Sequence, residues 1–302
     1  MKRNRIKIIG NILTFASVIF LVSSFRKMKI DLRIFADRRI FLSIFAGAVL
    51  VVVSLMISAL AWKRTIAYFS EQNIFYLPAA KVYMQANLGK YIPGNMMHFI
   101  ERNMFAAKEG IGQVQALAGS LMEIAGQLAA AVILGIFLAF RDVWKLAELL
   151  FLPEYIAVLA LLAVMGGIAF RILYKKKRSI QILCQKMRQP AFWKTFGINV
   201  CLYMAVLFLL SALMCMLVCL LAKQDLKISE AGEIMTVYVL AWMTGFMIPG
   251  APGGLGVREF VITYLTKENR MQEVILLAMV LHRMITVFGD MLGYLWGKGN
   301  RR

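Results

Sequence analysis

The stretch Met247-Ile-Pro-Gly-Ala-Pro-Gly-Gly-Leu-Gly-Val-Arg-Glu259 interrupts an otherwise apolar region of the chain. Pro249, Gly250, Pro252, Gly253, Gly254 and Gly256 all fall within residues 249–256. Proline removes a backbone donor, and glycine accepts geometries that other residues resist, so a continuous helix through these positions is not expected. In hydrocarbon, broken backbone persists only where protein or a water-filled cavity satisfies its freed polar groups. Arg258 and Glu259 follow the break directly, which marks the stretch as a candidate functional element.

The flanking sequence supplies the hydrocarbon. The 302 residues are 61% hydrophobic and 17% charged, with a mean hydropathy of +0.71. Soluble domains run about 45–50% apolar, so the expected class is an all-α polytopic integral membrane protein. Six apolar runs, at about 6–24, 40–62, 114–140, 154–174, 196–222 and 272–297, are long enough to cross roughly 30 Å of hydrocarbon. The first has a basic start, but Arg26, Lys27 and Lys29 follow it rather than a small-residue cleavage pattern, and it is read as a retained span. Segments 74–112 and 231–266 are apolar but broken near their middles, and each is expected to form a re-entrant hairpin. The net charge of +19 sits in loops between spans, a pattern suited to anionic lipid and not to nucleic acid.

Loop charge predicts the topology. Residues 171–194 carry Arg171, Lys175, Lys176, Lys177, Arg178, Lys186, Arg188 and Lys194 without an acid, and are placed in the cytoplasm. Both basic termini go to the same side, in a cell-membrane protein. The mixed loops 141–153 and 223–233 go outside, so 231–266 enters and leaves from outside and 74–112 from the cytoplasm. Loop 25–39, with six bases against Asp31 and Asp37, is the one loop that opposes this arrangement.

The break has an earlier counterpart. Ile92-Pro93-Gly94 recurs as Ile248-Pro249-Gly250 at an offset of 156 residues, and the same offset carries Arg102 onto Arg258. Each half, approximately 1–145 and 146–302, reads span, span, broken segment, span. Three complete spans per half would invert the second half, giving one membrane domain with two broken helices facing each other near the midplane. Helix ends at such breaks favour anions, and Arg102 and Arg258 add permanent charge in a fork suited to phosphate. Lys90 stands beside the first break as a further phosphate ligand, with snorkelling to the interface as its alternative. For Arg258 the alternative is a simple pair with Glu259 or an anchor for the hairpin at the interface.

Further ionisable residues lie inside spans. Glu123 sits in the third, with Gln127 one turn on; Arg283 and Asp290 share a face of the last. Such charges cost at least about 2.5–3.5 kcal/mol each at mid-depth unless paired, and a Glu123–Arg283 pair is expected. His98 and His282, the only histidines, have no partners at ligand spacing, and the four cysteines form no metal or redox pattern. No metal or cofactor is expected.

These residues resemble the lysylphosphatidylglycerol synthase transmembrane-region family. Residues 249–259 look like its signature, Leu88-Gly-Lys-Tyr-Ile-Pro-Gly with Arg102 is similar to its first motif, and Trp62-Lys63-Arg64 resembles the basic group closing its second span. The first motif departs at Asn95-Met-Met-His98, where a further glycine would be expected. The resemblance implies a flippase-like protein that moves or binds an anionic or aminoacylated phospholipid, or a polyprenyl-phosphate-linked headgroup. It also implies partners, either an aminoacyltransferase or an envelope glycosyltransferase, and leaves a homo-oligomer open. The alternatives are transfer of lysine from lysyl-tRNA to phosphatidylglycerol, and a non-transporting scaffold. The longest hydrophilic stretch, about two dozen residues, is too short for a catalytic domain.

Overall fold

The computed structural model describes residues 37–91, 97–108, 110–138, 178–247, 252–254 and 256–299. Four helices here are long and apolar enough to span a membrane: α1 (Arg38–Ser70), α4 (Gln113–Leu138), α6 (Pro190–Ala222) and α9 (Gln272–Gly299). They cover four of the six expected spans; 6–24 and 154–174 lie outside the described residues. Between a third and a half of each apolar window is buried, leaving outward faces rich in exposed Phe41, Phe45, Leu121 and Phe137 for lipid. The chain is an all-helical membrane protein.

The helices outrun the apolar layer. At 33 residues, α1 and α6 are each about 50 Å long. Asp37 caps α1 by accepting from the Arg39 amide at 2.8 Å, and Pro190 opens α6, where its missing donor costs nothing. Small residues set the crossings. Gly47 faces Ile285 and Leu213, Gly289 faces Val51, and Gly293 faces Leu55. Helices α1 and α9 therefore run in one direction. Asn199 of α6 donates to Thr65 at 2.7 Å, and Gly119 of α4 faces Ile66, so α4 and α6 run the other way. A Cβ on Gly289 would lie 2.6 Å from Val51 Cβ and 3.0 Å from the Ala48 carbonyl, both fixed to backbone. Gly289→Ala is accordingly expected to destabilise by about 1–3 kcal/mol through overpacking. Thermal unfolding in detergent checks this, and an unchanged midpoint would contradict the tight crossing.

Two broken hairpins complete the bundle. The first runs through α2 (Tyr76–Asn87), a 3₁₀ turn (Leu88–Tyr91) and α3 (Met97–Lys108); the second through α7 (Ile228–Met247), a 3₁₀ turn (Pro252–Gly254) and α8 (Val257–Leu265). The first enters where α1 and α9 end, with Gln85 donating to the Gly297 carbonyl. The second enters where α4 and α6 end, with Gly232 beside Leu138 and Gln272 donating to the Thr263 carbonyl at 2.8 Å. They come from opposite ends of the bundle, and their 3₁₀ turns touch. A Cβ on Gly253 would lie 3.2 Å from the Tyr91 ring. Of the residues expected at the breaks, Pro93, Gly94, Pro249 and Gly250 lie outside the described residues.

A basic helix, α5 (Arg178–Met187), docks at the end where α1 finishes. Tyr68 donates to the Lys186 carbonyl at 2.7 Å, and the Lys186 ammonium sits 2.6 Å from Glu71. That bond, with the charge behind it, holds the Glu71 carboxyl below the usual carboxylate range.

Candidate functional site

The hairpin tips and the four long helices enclose a cavity of about 150 Å³. A single water needs about 10–15 Å³ by such a measure, so the space suits a polar headgroup and not a whole lipid. One wall is apolar, with Val206, Leu207 and Leu210 of α6 and Trp242 and Phe246 of α7. Beyond Val51 and Leu55 of α1, the rest is mostly polar and charged, contributed by both hairpins and by α1, α4, α6 and α9.

The first tip is organised around Asp290 of α9, which is fully buried. Asn87, Lys90 and Tyr91 fall at helical spacing and so present one face. Asn87 Nδ2 donates to Asp290 Oδ1 at 2.7 Å, Tyr91 donates to Oδ2, and Lys90 Nζ lies 2.7 Å from Oδ2. The sequence placed Lys90 at a phosphate; in this structure its partner is a carboxylate.

The returning arm of that hairpin holds Arg102 against Glu123 of α4. Both side chains are 1% exposed, and one guanidinium nitrogen reaches the two carboxylate oxygens at 2.8 and 2.7 Å. Tyr83 and Gln127 donate to Glu123 Oε1 at 2.9 and 3.2 Å. The rings of Tyr83 and Phe99 cover the guanidinium at 4.2 and 4.9 Å, where cation–π attraction adds to the pair. The expected Glu123–Arg283 pair does not form. Arg102 comes closer in sequence and arrives on the hairpin packed beside α4, and Arg283 is taken elsewhere.

Arg283 binds the second tip. Its Nη1 lies 2.7 Å from Glu259 Oε1, and its Nη2 donates to the Gly253 carbonyl at 3.0 Å. Glu259 Oε2 accepts from the Gly256 amide at 2.8 Å and so closes the first turn of α8. The alternative pairing of Arg258 with Glu259 is therefore replaced by Arg283. Gly253, Gly254 and Gly256 all have positive φ, at 57°, 75° and 81°. At Gly254 the requirement is double, because a Cβ there would also stand 2.8 Å from Arg258 Nε.

Arg258 itself has no hydrogen-bond or ion-pair partner among the described residues. Its stem is gripped between Gly245 and Gly254, its Nε is buried and unsatisfied, and it lines the cavity. Three more cavity-lining residues carry buried polar atoms without partners: Ser54 Oγ, His98 Nδ1 and Tyr203 OH. Buried polar groups are ordinarily bonded, so four unsatisfied atoms around one cavity point to a polar occupant. Ser54, Tyr83, Asn87, Tyr91 and Tyr203 were not singled out from the sequence. Neutral polar residues scattered through apolar spans leave no spacing signature, and the breaks and the ionisable residues inside spans were what pointed here.

No match to the chain is found among curated proteins or among solved structures. The family model described as the lysylphosphatidylglycerol synthase TM region matches residues 8–293, nearly the whole chain, and the chain belongs to that family.

Proposed function

We propose that this chain is a flippase-type carrier that takes an anionic lipid headgroup into the cavity and passes it between leaflets of the cell membrane. The observation that carries the reading is Arg258, a guanidinium held in place between two glycines, facing a cavity and paired with no carboxylate among the described residues. A cation in low dielectric without a counter-charge is costly, and an anionic ligand relieves that cost.

We further infer that the two halves are inverted repeats. Helices α1 and α6 have equal length and opposite direction, and the hairpins enter from opposite ends. Contacts pair up in the same sense: α1 packs on α9 as α6 packs on α4, and α2 packs on α9 as α7 packs on α4. The halves differ where it counts. Arg102 has Glu123 opposite it, while the offset of 156 that carries Arg102 onto Arg258 carries Glu123 onto Met279 and Gln127 onto Arg283, whose charge Glu259 neutralises. Of the two arginines related by the offset, Arg258 is the one without a carboxylate partner among the described residues, which favours the second hairpin as the anion-binding one. Of the three phosphate ligands expected, Arg258 is retained as the primary one, with Arg102 and Lys90 available if their carboxylates release them. The termini are placed in the cytoplasm, with six spans in all.

The test is headgroup translocation in proteoliposomes containing a fluorescent phosphatidylglycerol. A charge-assisted hydrogen bond is worth about 1.5–3 kcal/mol, so Arg258→Gln is expected to lower the rate roughly ten- to a hundredfold. With no partner to lose and a costly buried charge removed, the variant should unfold no earlier than wild type. An unaltered rate would remove Arg258 from the mechanism, and no translocation by wild type would favour the scaffold reading.

A further inference from the structure

We propose that the cavity selects an anionic, hydroxyl-bearing headgroup, such as a glycerol or sugar phosphate ester, and excludes an aminoacylated, cationic one. This rests on reading the cavity as a headgroup site and narrows what that site takes.

The selection follows from which charges are already used. Three carboxylates lie in or beside the cavity, and each of their six oxygens is occupied. Glu123 accepts from Arg102 on both oxygens, and from Tyr83 and Gln127 on one. Asp290 accepts from Asn87 on Oδ1 and from Lys90 and Tyr91 on Oδ2. Glu259 accepts from Arg283 on Oε1 and from the Gly256 amide on Oε2. Among the described residues, an incoming ammonium finds no carboxylate in or beside the cavity whose charge is not already compensated by a cation. To pair, it must share a carboxylate with Arg102, Lys90 or Arg283, placing two cations on one negative charge, or displace that cation and leave it uncompensated inside the protein, and both are unfavourable. It must also share a small cavity with the uncompensated guanidinium of Arg258, and like charges at short range in low dielectric repel.

The unsatisfied neutral groups point the other way. Ser54 Oγ, Tyr203 OH and His98 Nδ1 come from α1, α6 and α3, so they surround the space and do not lie along one face. A hydroxyl both donates and accepts, and a ligand carrying several can satisfy groups of either character. One phosphate for Arg258 and two or three hydroxyls for the other groups describe a polyol phosphate.

The experiment is displacement of a fluorescent short-chain phosphatidylglycerol from the purified full chain in neutral detergent. The competitors are short-chain phosphatidylglycerol, lysyl-phosphatidylglycerol, phosphatidylcholine and glycerol 1-phosphate. Phosphatidylglycerol is expected to compete at concentrations at least tenfold below those of lysyl-phosphatidylglycerol, which should do no better than phosphatidylcholine. Arg258→Gln should erase the difference, and Arg258→Lys should restore part of it. Tyr203→Phe should weaken phosphatidylglycerol severalfold without moving phosphatidylcholine. Displacement by glycerol 1-phosphate assigns the recognised ligand to the phosphate ester itself; its failure beside success of the lipid assigns it to the membrane-borne form. Lysyl-phosphatidylglycerol competing as well as phosphatidylglycerol, with dependence on Arg258 intact, overturns the selection and spares the headgroup site. If the probe does not bind, or no competitor exceeds phosphatidylcholine, both readings fall.

Discussion

Glu123→Ala is expected to destabilise the protein by about 3–5 kcal/mol, the usual cost of leaving one member of a buried ion pair unpaired. Arg102 is 1% exposed, and its guanidinium has Glu123 as its carboxylate partner. Removing that carboxylate strands the cation between the Tyr83 and Phe99 rings and also deprives Tyr83 and Gln127 of their acceptor. A cation–π contact worth about 0.5–2 kcal/mol cannot replace the lost pairing. The double variant Glu123→Leu with Arg102→Met should be closer to wild type than Glu123→Ala alone, because no charge is left unpaired. Unfolding of the three proteins in one detergent measures this. A double variant less stable than the single one would mean that the pair contributes more than compensation of its own charges.

The sequence and the structure agree most where physics is local. Apolar run length located α1, α4, α6 and α9, and the proline and glycine clusters located both hairpin breaks. The helix ends differ for a physical reason: α1 continues past Trp62 through Lys63 and Arg64 to Ser70 because helix formation does not stop where the hydrocarbon does. Pairing was the part that could not be read. Periodicity puts Arg283 and Asp290 on one face of α9, but which charge each meets depends on how deep the hairpin tips reach. Glu123 illustrates this, since two arginines were available and hairpin packing chose the nearer. The spacing of Arg102 and Arg258 was legible, whereas the difference in their partners was not, because it turns on the residues opposite them.

Asp290→Ala is expected to open the cavity at the first hairpin. Helix α9 holds both tips, Asp290 binding the first through Asn87, Lys90 and Tyr91, and Arg283 binding the second through Glu259 and Gly253. The two clamps use different carboxylates, Asp290 and Glu259, so removing the first leaves the hydrogen bonds of the second intact. Removing the Asp290 carboxylate leaves three donors without an acceptor. Lys90 is partly exposed, with 29% of its side chain accessible, and can turn to water, so the global cost should be about 2–3 kcal/mol, below that of Glu123→Ala. Most of this loss falls on the closed tip. A difference of about 2 kcal/mol in tip closure raises the open population roughly thirtyfold. The readout is labelling by a membrane-impermeant maleimide of Ser58→Cys, which lines the cavity, after replacement of Cys184, Cys201, Cys215 and Cys219. Asp290→Ala should speed labelling at least tenfold. Asp290→Asn should fall between, because its amide oxygen can still accept from Tyr91 while the charge that holds Lys90 and the oxygen that accepts from Asn87 are lost. A drop in stability with no change in labelling would assign Asp290 to packing alone, whereas faster labelling ordered Ala above Asn above wild type would identify it as the clamp on the first hairpin.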